Sequence, residues 1–279
     1  MQRELLQLKE IPPLSGVAAR ILQAVTNDNL ELDELASVLQ ESPTLTARLL
    51  ALANSSYFGR AGHVSNLRDA IIRVLGLNTV RSISLAYSLS GHMDLKRCAG
   101  FDAGQFWMHS VMTAQLALRL ARHVRVQGAP SGPDAYTAGL LQRLGLLALT
   151  HLFPAEVSRA LAMPDEASRL SQRLREQLQT DHHAAGALLA RRWQLPDPLY
   201  RAIAHGHDIH YRDDHWPLTV LVGACSVLSK QLLAGQQPKP DEDLRFALLG
   251  IAPAQLSDAL SESENNRQSL LEIAAILAQ

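Results

Sequence analysis

Apolar residues recur at three- and four-residue spacing along almost the whole chain, in segments of roughly 10–20 residues punctuated by Gly, Pro, Asn and Asp. No run alternates strictly between apolar and polar positions, so the pattern predicts an all-α chain. Val17, Ile21, Leu22 and Val25 form one stripe over Gly16–Thr26. Leu32, Leu35, Val38 and Leu39 form a second over Leu32–Glu41, with Asp33 and Glu34 in the first turn, where negative charge suits the helix dipole. Ser42 is placed to cap a helix over Pro43–Ala53, because proline in the first helical position loses no bond. Leu67–Leu75 ends at Gly76. Asn78 can cap the next helix, which carries Val80, Ile83, Leu85 and Leu89 up to Gly91, and Asp102 caps a long helix to about His123. The Gly- and Pro-rich stretch Val126–Asp134 reads as a loop. Helices follow over Ala135–Leu149, Pro154–Leu161, Asp165–Leu178, Asp181–Trp193, Pro196–His205 and Trp216–Leu233. After a linker at Gly235–Pro240 come Asp241–Leu249, Pro253–Ser261 and Glu264–Leu277.

The chain of 279 residues is long enough for one large or two modest domains. Lys and Arg together number 26 against 27 Asp and Glu, a net charge of −1, which argues against a polyanion held by bulk charge and leaves room only for a local patch. Of the cations 22 are Arg, a compositional bias rather than a functional signal. With 47% hydrophobic and 19% charged residues the chain is not disordered. Cys98 and Cys225 are too few for a disulfide framework and match no paired-cysteine zinc site; they read as small apolar side chains in a reducing compartment. The start, MQRELLQLKEIPPLSG, lacks a basic segment followed by an apolar one, and stretches such as Leu144–Leu149 and Leu218–Ala224 are far short of the ~20 residues of a membrane helix. The expectation is a cytoplasmic protein with no membrane contact.

The first 90 residues hold IPPLSGVAARIL, LDELASVLQESPTLTARLLALANSSYFG and VSNLRDAIIRVLGLNTVRSISLAYSL; later come FWMHSVMTAQLALRLA, DAYTAGLLQRLGLLAL, TDHHAAGALLARRWQLP and AIAHGH. Together these resemble the HD-related output domain, HDOD, of bacterial signalling proteins, over residues 5–212. The stretch Glu41–Gly59 is the most specific: a capped, proline-started helix, a small-residue seam at Ala47, Ala51 and Ala53, and the turn Asn54-Ser55-Ser56-Tyr57-Phe58-Gly59. Packing explains these residues without a catalytic role. Small side chains let helices approach, Tyr57 and Phe58 can plug a groove, and Gly59 permits a sharp exit. The resemblance implies a two-lobed helical bundle, an N-terminal lobe (1–98) packed on an HD-like lobe (99–234), followed by a C-terminal helical tail (235–279). It also implies a role in signal transduction beside signalling proteins such as cyclic-di-nucleotide or two-component regulators.

The second half is similar to the HD phosphohydrolase superfamily, where histidines and carboxylates hold a divalent metal and lower the pKa of its bound water. On that resemblance the first ligand histidine falls on His109. The His-Asp doublet, set between Gly-Leu-Leu and Ile-Gly, falls on Gln142-Arg143 within Gly139-Leu140-Leu141-Gln142-Arg143-Leu144-Gly145. Later histidines fall on His182 and His207, and the last aspartate on Cys225. Gln142 is a poor ligand, and Arg143 is a cation that does not deprotonate. At ~4 Å from a divalent ion, each like charge costs several kcal/mol at an effective dielectric of about 20. The resemblance therefore implies a kept scaffold with no hydrolytic metal and no cofactor. Read on their own, His109 is a buried, hydrogen-bonded histidine among Val111, Met112 and Leu116, and His182 sits in an exposed first turn behind the N-cap Asp181. Arg143 is open between a buried partner for a carboxylate and a surface cation.

Six of the eleven histidines lie between His182 and His215, four of them in HGHDIHYRDDH beside Asp208, Asp213 and Asp214. That segment reads as a hydrophilic loop, with a metal- or pH-responsive surface as the competing reading. Leu32–Glu41 and Thr44–Ala53 around Ser42-Pro43 have the form of a helix-turn-helix. Its second helix offers Thr44, Thr46 and one cation, Arg48, too few to anchor phosphates. No phosphate loop, Ser-His-Asp set or nucleophilic cysteine stands out. The expectation is a non-enzymatic signalling module that docks a partner helix or loop in a groove between two lobes, near His109, Gln142, Arg143, His182 and His207, with Arg143 facing a carboxylate or phosphate. The competing class is a phosphohydrolase relic using His109, His182 and His207, or a nucleotide-sensing pocket. A DNA-binding regulator ranks behind both.

Overall fold

A computed structural model describes residues 14, 16–27, 30–55, 58, 63–91, 93–162, 169–239 and 242–278. The described residues form helices and no strand, so the all-α expectation holds. Tyr57 and Gly59, the sequence before Leu14, and the starts expected at Asp165 and Asp241 lie outside the described residues. The chain divides into two compact units.

One unit holds Leu14–His92 and Glu264–Gln279. Its helices are α1 (Gly16–Thr26), α2 (Leu32–Gln40), α3 (Pro43–Ala53), a short α4 (Leu67–Asp69), α5 (Leu77–Ser90) and, from the other end of the chain, α16 (Arg267–Ala278). The stripes read from the sequence are the buried ones: Ile21, Leu22 and Val25 on α1, Leu35 and Leu39 on α2, Val80, Ile83, Leu85 and Leu89 on α5. The Ser42 hydroxyl accepts the Leu45 N–H, as its N-cap position predicts. Three details differ. Asn78 is the second residue of α5 rather than its cap. Ala70–Leu75 continues α4 as a π-helix, closed by the Gly76 N–H on the Ile71 carbonyl at 2.9 Å. The wider turn keeps Leu67, Ile71 and Leu75, four residues apart, buried on one face. Of the small-residue seam only Ala53 is buried; Ala47 and Ala51 face outward. Arg48, the cation of the helix-turn-helix reading, is committed within the unit. It donates to the Ile276 carbonyl at 2.8 Å and lies 4.6 Å over the Tyr87 ring.

The second unit contains Met93–Ser263. Its helices are α6 (Ala103–Ala121), α7 (Gly132–Leu141), α8 (Leu144–Leu152), α9 (Pro154–Leu161), α10 (Arg169–Leu178), α11 (His182–Arg192), α12 (Asp197–His205), α13 (Trp216–Leu233), α14 (Leu244–Leu248) and most of α15 (Pro253–Asn265). The residues expected to form a C-terminal tail thus divide, with Gly235–Ser263 in this unit and Glu264–Gln279 in the other. Helix α6 is the central post: Trp107, Val111, Met112, Leu116 and Leu120 are buried, with α7 and α13 against it. Helix α13 is long and apolar enough to cross a membrane by length and composition, but two thirds of it is buried by its neighbours here. The helix expected over Ala135–Leu149 is two helices. Ser131 caps the first, accepting the Asp134 N–H, so α7 starts inside the expected loop, and the chain breaks at Gln142-Arg143 before α8.

Two glycine contacts then draw the helices together. A Cβ on Gly145 would land on the His182 carbonyl and the Gly186 amide, so the backbones of α8 and α11 touch. A Cβ on Gly223 would land on the Gly206 carbonyl, so α13 runs against the end of α12. The break at Gln142-Arg143, the start of α11 and the loop after α12 are thereby brought to one region.

Candidate functional site

His109 projects from α6 and is 7% exposed. Its Nε2 lies 3.0 Å from the Ser226 carbonyl of α13. A carbonyl only accepts, so Nε2 carries the proton and Nδ1 holds a bare lone pair, buried and without a hydrogen-bond partner among the described residues. Burial first, and the Arg143 charge second, lower the His109 pKa to about 3, against the opposing bond to Ser226. The imidazole is neutral.

Gln142 stands at the break after α7, 6% exposed. Its Oε1 accepts from the Ser226 hydroxyl at 3.3 Å, and its Nε2 is buried without a partner among the described residues. Ser226 therefore ties His109 and Gln142 to one point on α13. Arg143, half-buried, places its guanidinium 5.5 Å from the centre of the Phe106 ring. Its charge reaches His109, His182 and His183, lowering each.

At the head of α11, Asp181 is the N-cap expected from the sequence, accepting the His183 and Ala184 N–H groups at 2.9 Å each and pairing with Arg175. Burial would raise its pKa, but the Ala184 N–H, the neighbouring His183 and Arg175 outweigh it and hold the carboxyl below its usual range. The exposed first turn expected for His182 is not found. That side chain is 8% exposed, because α11 begins against the Gly145 backbone, and its Nδ1 lies 3.4 Å from the Ser171 hydroxyl. Burial, then His183 and Arg143, push its pKa well down.

His183, which sequence reasoning passed over, joins the cluster. Its Nδ1 is 3.3 Å from the Ile203 carbonyl, and its ring lies 4.1 Å from that of His182 and is stacked 4.1 Å from that of His207. Burial and then His207 lower its pKa to about 4. His207 is exposed, at the outer end of this column of three imidazoles.

Cys225 does not join them. It is fully buried, which pushes its thiol pKa up, and the charges it senses are Arg245 and Asp243. Consecutive residues on a helix point about 100° apart, so Ser226, not Cys225, faces Gln142 and His109. The sequence therefore brought five of its six residues to one region and missed Ser226 and His183.

As a donor set these residues do not fit a divalent cation. His109 keeps one bare nitrogen, but Gln142 is a poor ligand and Arg143 sends a positive field through the cluster. Among the described residues no three His, Cys, Asp or Glu side chains come together where a metal could be held. That holds for the histidine-rich loop as well. It is the hydrophilic connection between α12 and α13, where Tyr211 stacks on His205 at 4.7 Å.

An HDOD domain model matches residues 11–209. An uncharacterized protein of Treponema pallidum (strain Nichols) is 25% identical over 268 residues, covering 95% of this chain and 50% of the relative, so the chain spans about half the length of the curated relative it matches. A candidate signal transduction protein from Marinobacter aquaeolei VT8 superposes with a TM-score of 0.82 at 25% identity, over 100% of this chain and 62% of that one. A candidate phosphohydrolase from Shewanella amazonensis SB2B superposes with a TM-score of 0.76 at 23% identity, over 98% of this chain and 97% of that one, a likeness of fold.

Proposed function

The chain belongs to the HDOD family, and from that premise we propose that it is a non-hydrolytic regulatory module that works by docking other signalling proteins. One observation carries the reading: a guanidinium stands where the resemblance puts a metal-binding carboxylate, among imidazoles held neutral by burial and by that same charge. A permanent cation repels a divalent ion, and it attracts a carboxylate or phosphate. The cluster then forms a contact surface around Arg143, His183 and His207, backed by the buried pair His109 and Gln142. A signalling role is further supported by the name of the Marinobacter protein of like fold, and two buried free cysteines suit a reducing compartment.

Metal analysis and hydrolysis assays on the purified chain test this. The expected result is substoichiometric Mn, Fe and Zn and no phosphate release from nucleotides or phosphodiesters. The double substitution Gln142→His with Arg143→Asp restores the donor types of the HD pattern and should raise Mn or Zn uptake above that of the unaltered chain. Stoichiometric metal together with phosphate release that disappears in His109→Ala would overturn the reading and establish the phosphohydrolase in its place.

A further inference from the structure

Within the described residues the large apolar side chains left exposed are few, and four of them meet in one groove: Ile209 (52% exposed), Val227 (43%), Leu244 (79%) and Leu248 (38%). The groove is about 590 Å³ and runs between α13, α14 and the histidine-rich loop. Contiguous apolar surface of this kind on a folded chain marks a contact site. We propose that it is the docking site for an amphipathic helix of a partner protein, apolar on one face and acidic along its flank. The proposal goes beyond the regulatory reading by naming a separate surface and the chemistry of what sits there.

The shape favours a helix. Val227 and Gln231 on α13, and Leu244 and Leu248 on α14, are each one helical turn apart, so the walls are two ridges of the same pitch as a third helix's own i, i+4 ridge. The walls also stand proud. A small apolar molecule in the groove would leave Leu244 in water, whereas a helix laid across the ridges covers it.

Charge fixes the flank. Of the carboxylates lining the groove, Glu242 is held by Lys239 at 2.9 Å and Asp243 by Arg245 at 2.6 Å. Arg212 is exposed at the rim. Its guanidinium donates to the Ile209 and Tyr211 carbonyls and lies 5.3 Å over Trp216, and it is paired with no carboxylate among the described residues. It is the cation a partner's Asp or Glu would meet. Gln231, half-buried, lines the same groove, and its Oε1 has no hydrogen-bond partner among the described residues, so rotation of this side chain would offer an acceptor to a partner's hydroxyl.

The test uses the full chain and three fluorescein-labelled synthetic peptides, read by anisotropy. The first is a helix with leucines at i, i+4 and i+7, a serine toward Gln231 and glutamates on the flank. The second carries lysines in place of the glutamates, and the third is the acidic peptide broken by a central proline. The expected result is saturable binding of the acidic helix, with both others weaker by about tenfold or more. Leu244→Glu and Val227→Glu should each weaken the acidic helix by a similar factor, and Arg212→Glu should reverse the preference between glutamate and lysine flanks. Leu244 is so exposed that its substitution leaves the core intact, and an unchanged Tm confirms this. Failure of the acidic helix to bind, equal binding of both charged helices, or binding indifferent to Leu244→Glu and Val227→Glu would overturn the proposal. So would sedimentation that shows dimers in the unaltered chain and monomers in Leu244→Glu, because the occupant would then be a second copy. None of these outcomes bears on metal content or phosphate release, so the two readings fail separately.

Discussion

Replacing Gly145 by Ala would, on helix propensity alone, stabilise α8 by about 1 kcal/mol. Packing reverses the sign. The new methyl group would occupy space held by the His182 carbonyl and by the amide and Cα of Gly186, and these are backbone atoms that no rotamer change can move. Overfilling a packed site costs about 1–3 kcal/mol, and obstacles that cannot rotate away place this one at the upper end. After the propensity gain, the net loss is about 2 kcal/mol. In a domain of 150–250 residues each 1 kcal/mol moves Tm by about 2–4 °C, so the transition of the unit containing Met93–Ser263 should fall by about 4–8 °C. Calorimetry of the full chain reads this directly. Gly16→Ala is the control, since its Cβ would meet nothing within 4 Å, and its effect should stay within ~0.5 kcal/mol. A Gly145→Ala chain as stable as the unaltered one would refute the claim that the α8 and α11 backbones touch there, and with it the account of how His182 reaches Arg143.

Stability should fall in acid through the histidine cluster. His109 (about 3), His183 (about 4) and His182 titrate well below the 6.5 of an unfolded chain, so between about pH 6.5 and 4 the unfolded state binds protons that the folded state refuses. Each such histidine removes up to ~1.4 kcal/mol per pH unit there and nothing at neutral pH, where both states are unprotonated. Urea midpoints across this range should drop, His109→Gln should flatten the slope by one histidine's share, and a level profile would contradict the assignment. Both cysteines are buried, so a thiol reagent at pH 8 should label neither in the native chain and both in guanidinium; native labelling of Cys225 would show that its helix face is open. Leu270, 2% exposed on α16, belongs to the unit that holds the N-terminal helices. Leu270→Ala should therefore cost that unit about 2–5 kcal/mol, read as faster amide exchange in α3 and α5, and unchanged exchange would mean that α16 does not complete that core.

Most helices were legible because their stripes and caps agree. Asp102, Ser42 and Asp181 each accept the N–H groups their positions predict. The break in Ala135–Leu149 was hidden by its own composition. Leu140, Leu141, Leu144, Leu146 and Leu147 are all buried, so apolar residues cover every side and no stripe shows where one helix stops. The split of the last 45 residues between the two units was hidden for another reason. Helix α16 has an ordinary apolar face, and what fixes its partner is long-range: the Arg48 bond to the Ile276 carbonyl and the Ser55 hydroxyl on the Glu272 carboxylate at 2.5 Å. No local pattern encodes such a pairing.

The site was legible as a set of positions and not as an arrangement. Resemblance placed His109, Gln142, Arg143, His182 and His207 together with Cys225, whereas the hydrogen bonds to Gln142 and His109 come from Ser226, one residue on and on another face of the helix. His183 carried no signal of its own, since its partner, the Ile203 carbonyl, lies 20 residues away. What the arrangement adds is a dependence between the substitutions and the charge state. A half-buried guanidinium can lie close to three imidazoles only if they stay neutral, and they stay neutral because burial and that guanidinium both oppose a proton. Aspartate restored at 143 alone would take away the repelling cation, while burial, the largest cause of the lowered pKa values, would still oppose a proton on His109, His182 and His183. It would supply one carboxylate but leave Gln142, a poor ligand, in the other half of the doublet. Recovering a metal pocket thus requires the doublet as a pair, since the second residue must remove the repelling cation and the first must supply a ligand that Gln142 cannot.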